Sequence, residues 1–221
     1  MGQTTPRPGP VTPSQNAQGV LHAGLEELGL HLEPARAEQL LLLAELLHEW
    51  ASQINLTGHR SPETIIERLV LEAIALELQM PPLETLVDLG SGAGFPGLPI
   101  AILRPERRVT LVESRLRRHH FQRAALRALG LENVSVARGR AEALEPQPHA
   151  GVVAQAMAKP GQAVAWMLPW VEPGGWVMIP GGASPPEIPV MPGLRFERCT
   201  RYCAPLSGSE RTVWLGRASD K

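Results

Sequence analysis

Up to about Gln79, apolar residues recur at three- and four-residue spacing. Beyond Leu83 they gather into short β-branched runs. Leu21, Leu25 and Leu28 mark a first short helix, weakened by Gly24 and ending near Gly29. Pro34 opens a longer helix whose apolar stripe is Leu40, Leu43, Ala44, Leu47, Trp50, Ala51 and Ile54, with Glu38, Glu45 and Glu49 on the polar face. After Asn55-Leu56-Thr57-Gly58, Ser61 as N-cap, Pro62 at the first helical position and Glu63-Thr64 in the first turn start a third helix that runs to about Gln79. The later runs, Thr85 to Asp88, Arg108 to Val112, Val134 to Ala137 and Gly151 to Ala154, predict buried strands. Helical stretches separate them at Gly97 to Leu103, Leu116 to Leu129 and Gln162 to Leu168. That alternation predicts an α/β fold, a parallel sheet built from right-handed βαβ units. Gly175 to Ile179 predicts a further strand, Pro180 to Pro192 a loop, and Leu194 to Tyr202 with Thr212 to Gly216 a closing antiparallel pair.

Length and composition fit that plan. The chain has 221 residues, 43% hydrophobic and 19% charged, enough for one α/β domain with a small helical addition. The expected organisation is a disordered leader over 1–16, rich in Pro, Thr and Gln without an apolar signal core, a helical extension over 17–82, and the sheet domain over 83–221. Apolar runs such as Leu40 to Ala44 and Leu98 to Leu103 are far shorter than the roughly 18 to 20 residues of a membrane-spanning helix. Cys199 and Cys203 cannot form a disulfide framework, which points to a cytoplasmic location, and they are expected as buried strand thiols. No Cys/His spacing suggests a metal.

Charge is unevenly distributed. Between Leu21 and Glu84, eleven acidic residues face three arginines, whereas from Arg104 to Arg140 ten arginines face three glutamates. A basic segment in a chain of net charge −1 implies a polyanionic partner. Arg115, Arg117, Arg118 and Arg123 begin the helix after the second strand, and Arg138 and Arg140 follow the third, so these are the expected contacts for that polyanion, with salt-dependent affinity. His119 and His120 are expected at the surface.

The most specific motif is Val87-Asp88-Leu89-Gly90-Ser91-Gly92-Ala93-Gly94-Phe95-Pro96-Gly97, between a strand and a helix. Its glycines permit a sharp turn and close approach of a ligand. Gly92, Gly94 and Gly97 satisfy a dinucleotide fingerprint, while Asp88, Gly90, Gly92 and Gly94 satisfy the acidic glycine loop of S-adenosylmethionine enzymes. Glu113, ending the second strand about twenty residues on, suits the ribose hydroxyls of either. Asp88 favours S-adenosylmethionine, whose methionine end it could engage directly or through water. An NAD enzyme would also need a hydride-transfer acid, and Tyr202, the only tyrosine, has no partner lysine at helical spacing.

These residues resemble the RsmG (GidB) family of 16S ribosomal RNA guanine-N7 methyltransferases. The resemblance spans roughly Leu40 to Arg217 and rests on Asn55-Leu56-Thr57, the loop from Asp88 to Pro99, Arg104-Pro105, Glu113, Gly139-Arg140-Ala141-Glu142 and Pro205-Leu206-Ser207-Gly208 followed by Arg211. It implies a Rossmann-like S-adenosylmethionine methyltransferase sheet with an N-terminal helical extension. It further implies that Gly90 and Phe95 line the cofactor pocket, that Ala141 and Glu142 border the adenine, and that Glu113 holds the ribose. Asp88, Gly92 and Gln155 complete the expected cofactor set, and Arg115, Arg118, Arg140 and Arg211 the expected RNA set. The implied substrate is 16S rRNA, free or in the 30S subunit, at a guanine of the 530-loop region (guanine 527 in the usual rRNA numbering), and the expected oligomeric state is a monomer.

Several positions depart from the family pattern. Leu69 and Glu72-Ala73 stand where the third helix usually carries His and Asp-Ser. Ala154-Gln155-Ala156 replaces Ser-Arg-Ala, and Pro180-Gly181 replaces Lys-Gly. Guanine N7 has an in-plane lone pair and needs no deprotonation, so methyl transfer asks chiefly for in-line positioning. The lost arginine and lysine therefore bear on binding more than on an essential proton carrier. The alternative expectation is a weakened or inactive homologue that binds cofactor or rRNA without turnover.

Overall fold

The computed structural model describes residues 14–53 and 55–220. Helix α1 (Gln15–Glu27) starts where the Ser14 side chain accepts the Ala17 N–H, inside the stretch expected as a leader. Met1 to Pro13 of that expectation lie outside the described residues. Helix α2 (Pro34–Gln53) follows, burying Leu40, Leu43, Ala44 and Leu47 as their spacing predicts.

The third helical stretch is not uniform. Ser61 and Thr64 form a reciprocal cap on α3 (Pro62–Ile65), a π-helical turn occupies Ile66–Leu71, and α4 (Glu72–Glu77) completes it. Gly24 of α1 sits against this turn so closely that a Cβ there would lie 2.2 Å from Leu71 Cδ1. The missing side chain is what lets the two helices approach. Sequence periodicity does not distinguish a single wide turn from an α-helix.

The sheet has seven strands: β1 (Thr85–Leu89), β2 (Arg108–Glu113), β3 (Val134–Arg138), β4 (His149–Ala154), β5 (Val171–Gly181), β6 (Leu194–Cys203) and β7 (Glu210–Ala218), in the order β3-β2-β1-β4-β5-β7-β6. The first five pair in parallel, and β7 runs antiparallel to both β5 and β6. Crossovers run through α5 (Gly97–Leu103), α6 (Leu116–Leu129) and α7 (Pro160–Met167). One apolar cluster joins the helical extension, α5 and α6 to the sheet; a second, centred on Val87, Val152, Met167 and Trp170, covers the opposite face. Strand β1 is therefore buried on both sides, which explains why Leu86, Val87 and Leu89 are apolar without alternation and why Asp88 among them is buried too. The order reverses at β1, between β2 and β4, and a crevice forms beyond the strands' carboxyl ends there.

Two surface expectations are corrected. His119 is buried on α6, because it lies three residues before Gln122 on the inward stripe that continues through Ala125 and Leu129. Cys203 is exposed and Cys199 only half-buried, because β6 is an edge strand with one neighbour.

Candidate cofactor and substrate site

The loop leaving β1 turns through Gly90, Gly92 and Gly94, whose φ values are +69°, +60° and +89°. L-residues with a Cβ rarely adopt this region, which accounts for the glycines. Gln122, fully buried on α6, braces the loop from below by donating to Ser91 Oγ and to the Gly92 carbonyl, each at 2.8 Å.

The loop's own N–H groups are largely committed within the protein. Those of Gly90 and Ser91 donate to the Val112 carbonyl, Gly92 to Glu113 Oε2 at 3.0 Å, and Gly94 and Phe95 to the Ser91 carbonyl. Asp88 Oδ2 accepts the Gly97 N–H at 2.9 Å, so a carboxylate sits at the start of α5. Asp88 is 1% exposed, and its second oxygen has no hydrogen-bond partner among the described residues. Burial pushes its pKa up to about 7, against the lowering effect of the Gly97 bond, with the Glu113 charge raising it further. The side chain lies beneath the loop rather than on a cavity wall.

Glu113 ends β2 on the other side of the loop. It is 4% exposed; Oε1 accepts the Arg115 N–H at 2.7 Å, and Arg118 Nη1 lies 3.7 Å from Oε2. A cavity of about 360 Å³ opens beside it, walled by Gly90, Glu113, Ser114, Arg115, Arg118, Arg140, Ala141, Glu142, Met157 and Trp166, among others. Ala141 and Glu142 thus reach the same cavity as Gly90 and Glu113. The Ala141 carbonyl accepts the Trp170 indole N–H at 3.2 Å, anchoring this wall to the helix after β4.

A second cavity, of about 420 Å³, lies beyond β4 and β5 and is lined by Glu72, Gln155, Ala156, Met157, Pro180, Gly181 and Arg211. A narrow recess of about 50 Å³ shares Glu72, Gln155, Pro180 and Arg211 with it and adds Leu69, Phe95 and Tyr202. Met157 borders both larger cavities, and a Cβ at Gly90 would lie 3.0 Å from Met157 Cγ. Met157 is therefore the partition between them.

The predicted residues consequently divide. Gly90, Glu113, Ala141 and Glu142 surround the first cavity, while Gly92 holds Glu113 without lining it. Phe95 and Gln155 lie on the second side, Phe95 because the tight turn at Gly94 carries the chain away from β2 and towards α4, and Gln155 because it directly follows the carboxyl end of β4. Of the expected RNA contacts, Arg115 and Arg140 are exposed, Arg140 lying 3.6 Å from Glu142. Arg118 instead leans into the first cavity, its Nε buried without a partner. Arg211 is tied to Glu72 by two bonds, Nε to Oε2 at 3.1 Å and Nη2 to Oε1 at 2.9 Å. Met157, Trp166, Gln122 and Tyr202 are site residues that motif and spacing do not reveal. Only Gln122 carries a signal, as an amide on the stripe of Phe121, Ala125 and Leu129.

Among the described residues no cluster of His, Cys, Asp and Glu could hold a metal, and no helix is long and apolar enough to cross a membrane.

Comparison with known proteins agrees with this geometry. The chain overlays cofactor-bound Rv0187 from MTB with a TM-score of 0.58 over 91% of this chain and 97% of that one, at 16% identity. A SAM dependent methyltransferase from Aquifex aeolicus overlays with a TM-score of 0.52 over 70% and 93% of the two chains, also at 16% identity. These likenesses establish a Rossmann-like α/β fold. Sequence relatives are nearer. Ribosomal RNA small subunit methyltransferase G of Chromohalobacter salexigens is 36% identical over 82% of this chain and 86% of its own length. That of Neisseria meningitidis serogroup B is 31% identical over 87% and 94%. The family model for GidB, the rRNA small subunit methyltransferase G, matches residues 36–188, which takes in the glycine loop, Glu113 and Met157. The chain therefore belongs to the rRNA small subunit methyltransferase G family.

Proposed function

We propose that this protein transfers a methyl group from S-adenosylmethionine to N7 of a guanine in 16S rRNA, in the 530-loop region. The choice of cofactor rests on the glycine loop. A dinucleotide pyrophosphate needs free N–H groups at the helix N-terminus. Here Asp88 occupies that end of α5, and the loop amides are spent on Val112, Glu113 and Ser91. The amides that a pyrophosphate would need are therefore taken, whereas a cationic sulfonium needs none of them.

The first cavity fits the adenosine part of the cofactor. Glu113 has lone pairs beyond those taken by Gly92 and Arg115 to accept ribose hydroxyls, and Trp166 and Ala141 provide apolar surface for the purine. When bound, S-adenosylmethionine supplies an electrophilic methyl group. Met157, packed against Gly90, stands between the two cavities, so it is the side chain past which that methyl would face the second cavity.

The observation that carries the N7 reading is the absence of an available base among the residues lining that second cavity. Its carboxylate, Glu72, is committed to Arg211. Tyr202 has its pKa pushed up to about 12 by burial and then by the Glu72 charge, Arg211 opposing. A hydroxyl or a carbon acceptor would need proton removal; guanine N7 does not. Its lone pair forms the new N–C bond as the methyl–sulfur bond breaks, the electron pair stays on sulfur, and the base gains a positive charge. Gln155, Arg211 and the apolar walls need only hold the base in line and exclude water.

The test is methyl transfer from labelled cofactor to unmodified 30S subunits and to naked 16S rRNA, followed by nucleoside analysis. N7-methylguanosine from a single 530-loop site is the expected product. Label in another nucleoside, or binding without transfer, would overturn the reading.

A further inference from the structure

We propose that Glu72 is a positioning residue for the target base: it holds Arg211 as a charge-neutralised, oriented donor, so that Arg211 reads a carbonyl oxygen of the base and not a backbone phosphate. The proposal rests on the guanine reading above and extends it to how guanine is distinguished from adenine.

The geometry carries it. Arg211 opens β7 and Glu72 opens α4, so the pair joins the helical extension to the far end of the sheet across the second cavity, and both residues line that cavity and its recess. The two contacts are a side-on, bidentate pairing. Nη1 also donates to the Glu210 carbonyl at 3.1 Å. A guanidinium has five N–H groups; three are thus used, leaving one on each Nη for a ligand. Arg68 Nη1, 3.8 Å from Glu72 Oε1, steadies the carboxylate from within its own helix. The π-helical turn that ends at Leu71 delivers Arg68, Leu69 and Glu72 to the recess, and such turns frequently occur at functional sites.

Charge decides which ligand suits this donor. A phosphate gains most from an unpaired cation, and Arg115, Arg117 and Arg123 offer exposed ones on α6. A guanidinium already matched by a carboxylate has little net attraction for phosphate but keeps its directional N–H groups. With N7 as the atom methylated, O6 is the acceptor that remains on that edge of guanine. Adenine presents an amino donor there, which would oppose Arg211 N–H. Gln155, in the same cavity, has an amide that can add a second donor.

The experiment compares wild type with Glu72→Gln, Glu72→Asp and the double variant Glu72→Gln/Arg211→Gln. It reads kcat and KM on 30S subunits, the salt dependence of RNA affinity, S-adenosylhomocysteine affinity and thermal unfolding. Glu72→Gln should lower kcat about 10- to 100-fold through misplacement of the base. It should also steepen the slope of log affinity against log salt by about 0.7 to 0.9, because Arg211 becomes an unmatched cation. Glu72→Asp should recover part of kcat and the wild-type slope, and the double variant should lose the steepening. S-adenosylhomocysteine affinity should stay within about twofold throughout, which separates positioning from misfolding. An unchanged slope in Glu72→Gln, with or without loss of kcat, overturns the proposal. The wild-type product tests the underlying reading separately: a methylated base other than guanine ends the O6 assignment, whatever the slope shows.

Discussion

Glu113 Oε2 accepts the Gly92 N–H at 3.0 Å, so the end of β2 and the glycine loop after β1 are fastened by one carboxylate that also faces the first cavity. Glu113→Ala removes this bond, the bond to the Arg115 N–H and the ribose acceptor together. A hydrogen bond to a charged group is worth about 1.5 to 3 kcal/mol, so S-adenosylhomocysteine affinity should fall about 10- to 100-fold. Calorimetric titration checks this. Glu113→Gln, which retains one acceptor, should lose less.

Gly90 stands at φ +69°, and a Cβ there would lie 3.0 Å from Met157 Cγ. Gly90→Ala should destabilise the fold by about 1 to 2 kcal/mol from the left-handed backbone alone. It should also displace Met157 and shift the partition between the cavities. Thermal unfolding with and without saturating S-adenosylhomocysteine measures both effects; the ligand-induced rise in Tm should shrink.

Asp88 gives the stability a pH signature. Its pKa in the folded state is raised to about 7 from an ordinary carboxylate value, chiefly by burial. The folded state then binds the proton more tightly than the unfolded state, so stability falls as pH rises through that interval. The loss begins near the unfolded value of about 4 and is complete above about 7, amounting to a few kcal/mol. Asp88→Asn keeps an acceptor for the Gly97 N–H and removes the titration. Urea unfolding at pH 5 and pH 8 should show a smaller difference in the variant than in wild type.

Trp166 is half-buried on α7 and lines the first cavity opposite Glu113's neighbours Ser114 and Arg115. Stacking of a base on an aromatic ring is worth about 1 to 3 kcal/mol. S-adenosylhomocysteine should therefore change the tryptophan emission of wild type, and Trp166→Ala should abolish most of that change while weakening binding about tenfold or more. Trp170, fixed to the Ala141 carbonyl, remains as an internal control.

Arg115 and Arg117 are exposed at the start of α6, in contrast to Arg118, which leans towards Glu113. Replacing Arg117 or the equally exposed Arg123, neither of which lines the first cavity, by alanine should flatten the salt dependence of RNA binding by about 0.7 to 0.9 for every phosphate no longer neutralised, with S-adenosylhomocysteine affinity unchanged. Filter binding across a salt series reads this directly.

The element order was legible in the chain because each βα unit announces itself locally. Gly97 to Leu103 and Leu116 to Leu129 are helices with the predicted bounds, and the closing antiparallel pair is where its alternation placed it. That Gly90 and Glu113 border one cavity could be anticipated because strand ends and glycine turns fall at positions that depend on chain spacing alone, whereas Asp88, expected at the cofactor, lies beneath the loop. Other features depend on residues far apart in sequence. Glu72 and Arg211 are 139 residues apart and meet only when the helical extension packs against β7. Gln122 reaches the loop only because α6 lies under it, Phe95 separates from Glu113 only once Gly94 has turned the chain, and Gln155 because β4 and β2 flank β1 on opposite sides. The sequence by itself determined the fold class and the glycine turn, since local periodicity and backbone conformational freedom are short-range properties, and its motifs carried the resemblance to the family. Tertiary structure alone decided that Asp88 is buried beneath the loop, that Met157 divides the site into two cavities, and that Arg211 is paired, since burial and long-range electrostatics exist only after the layers have closed.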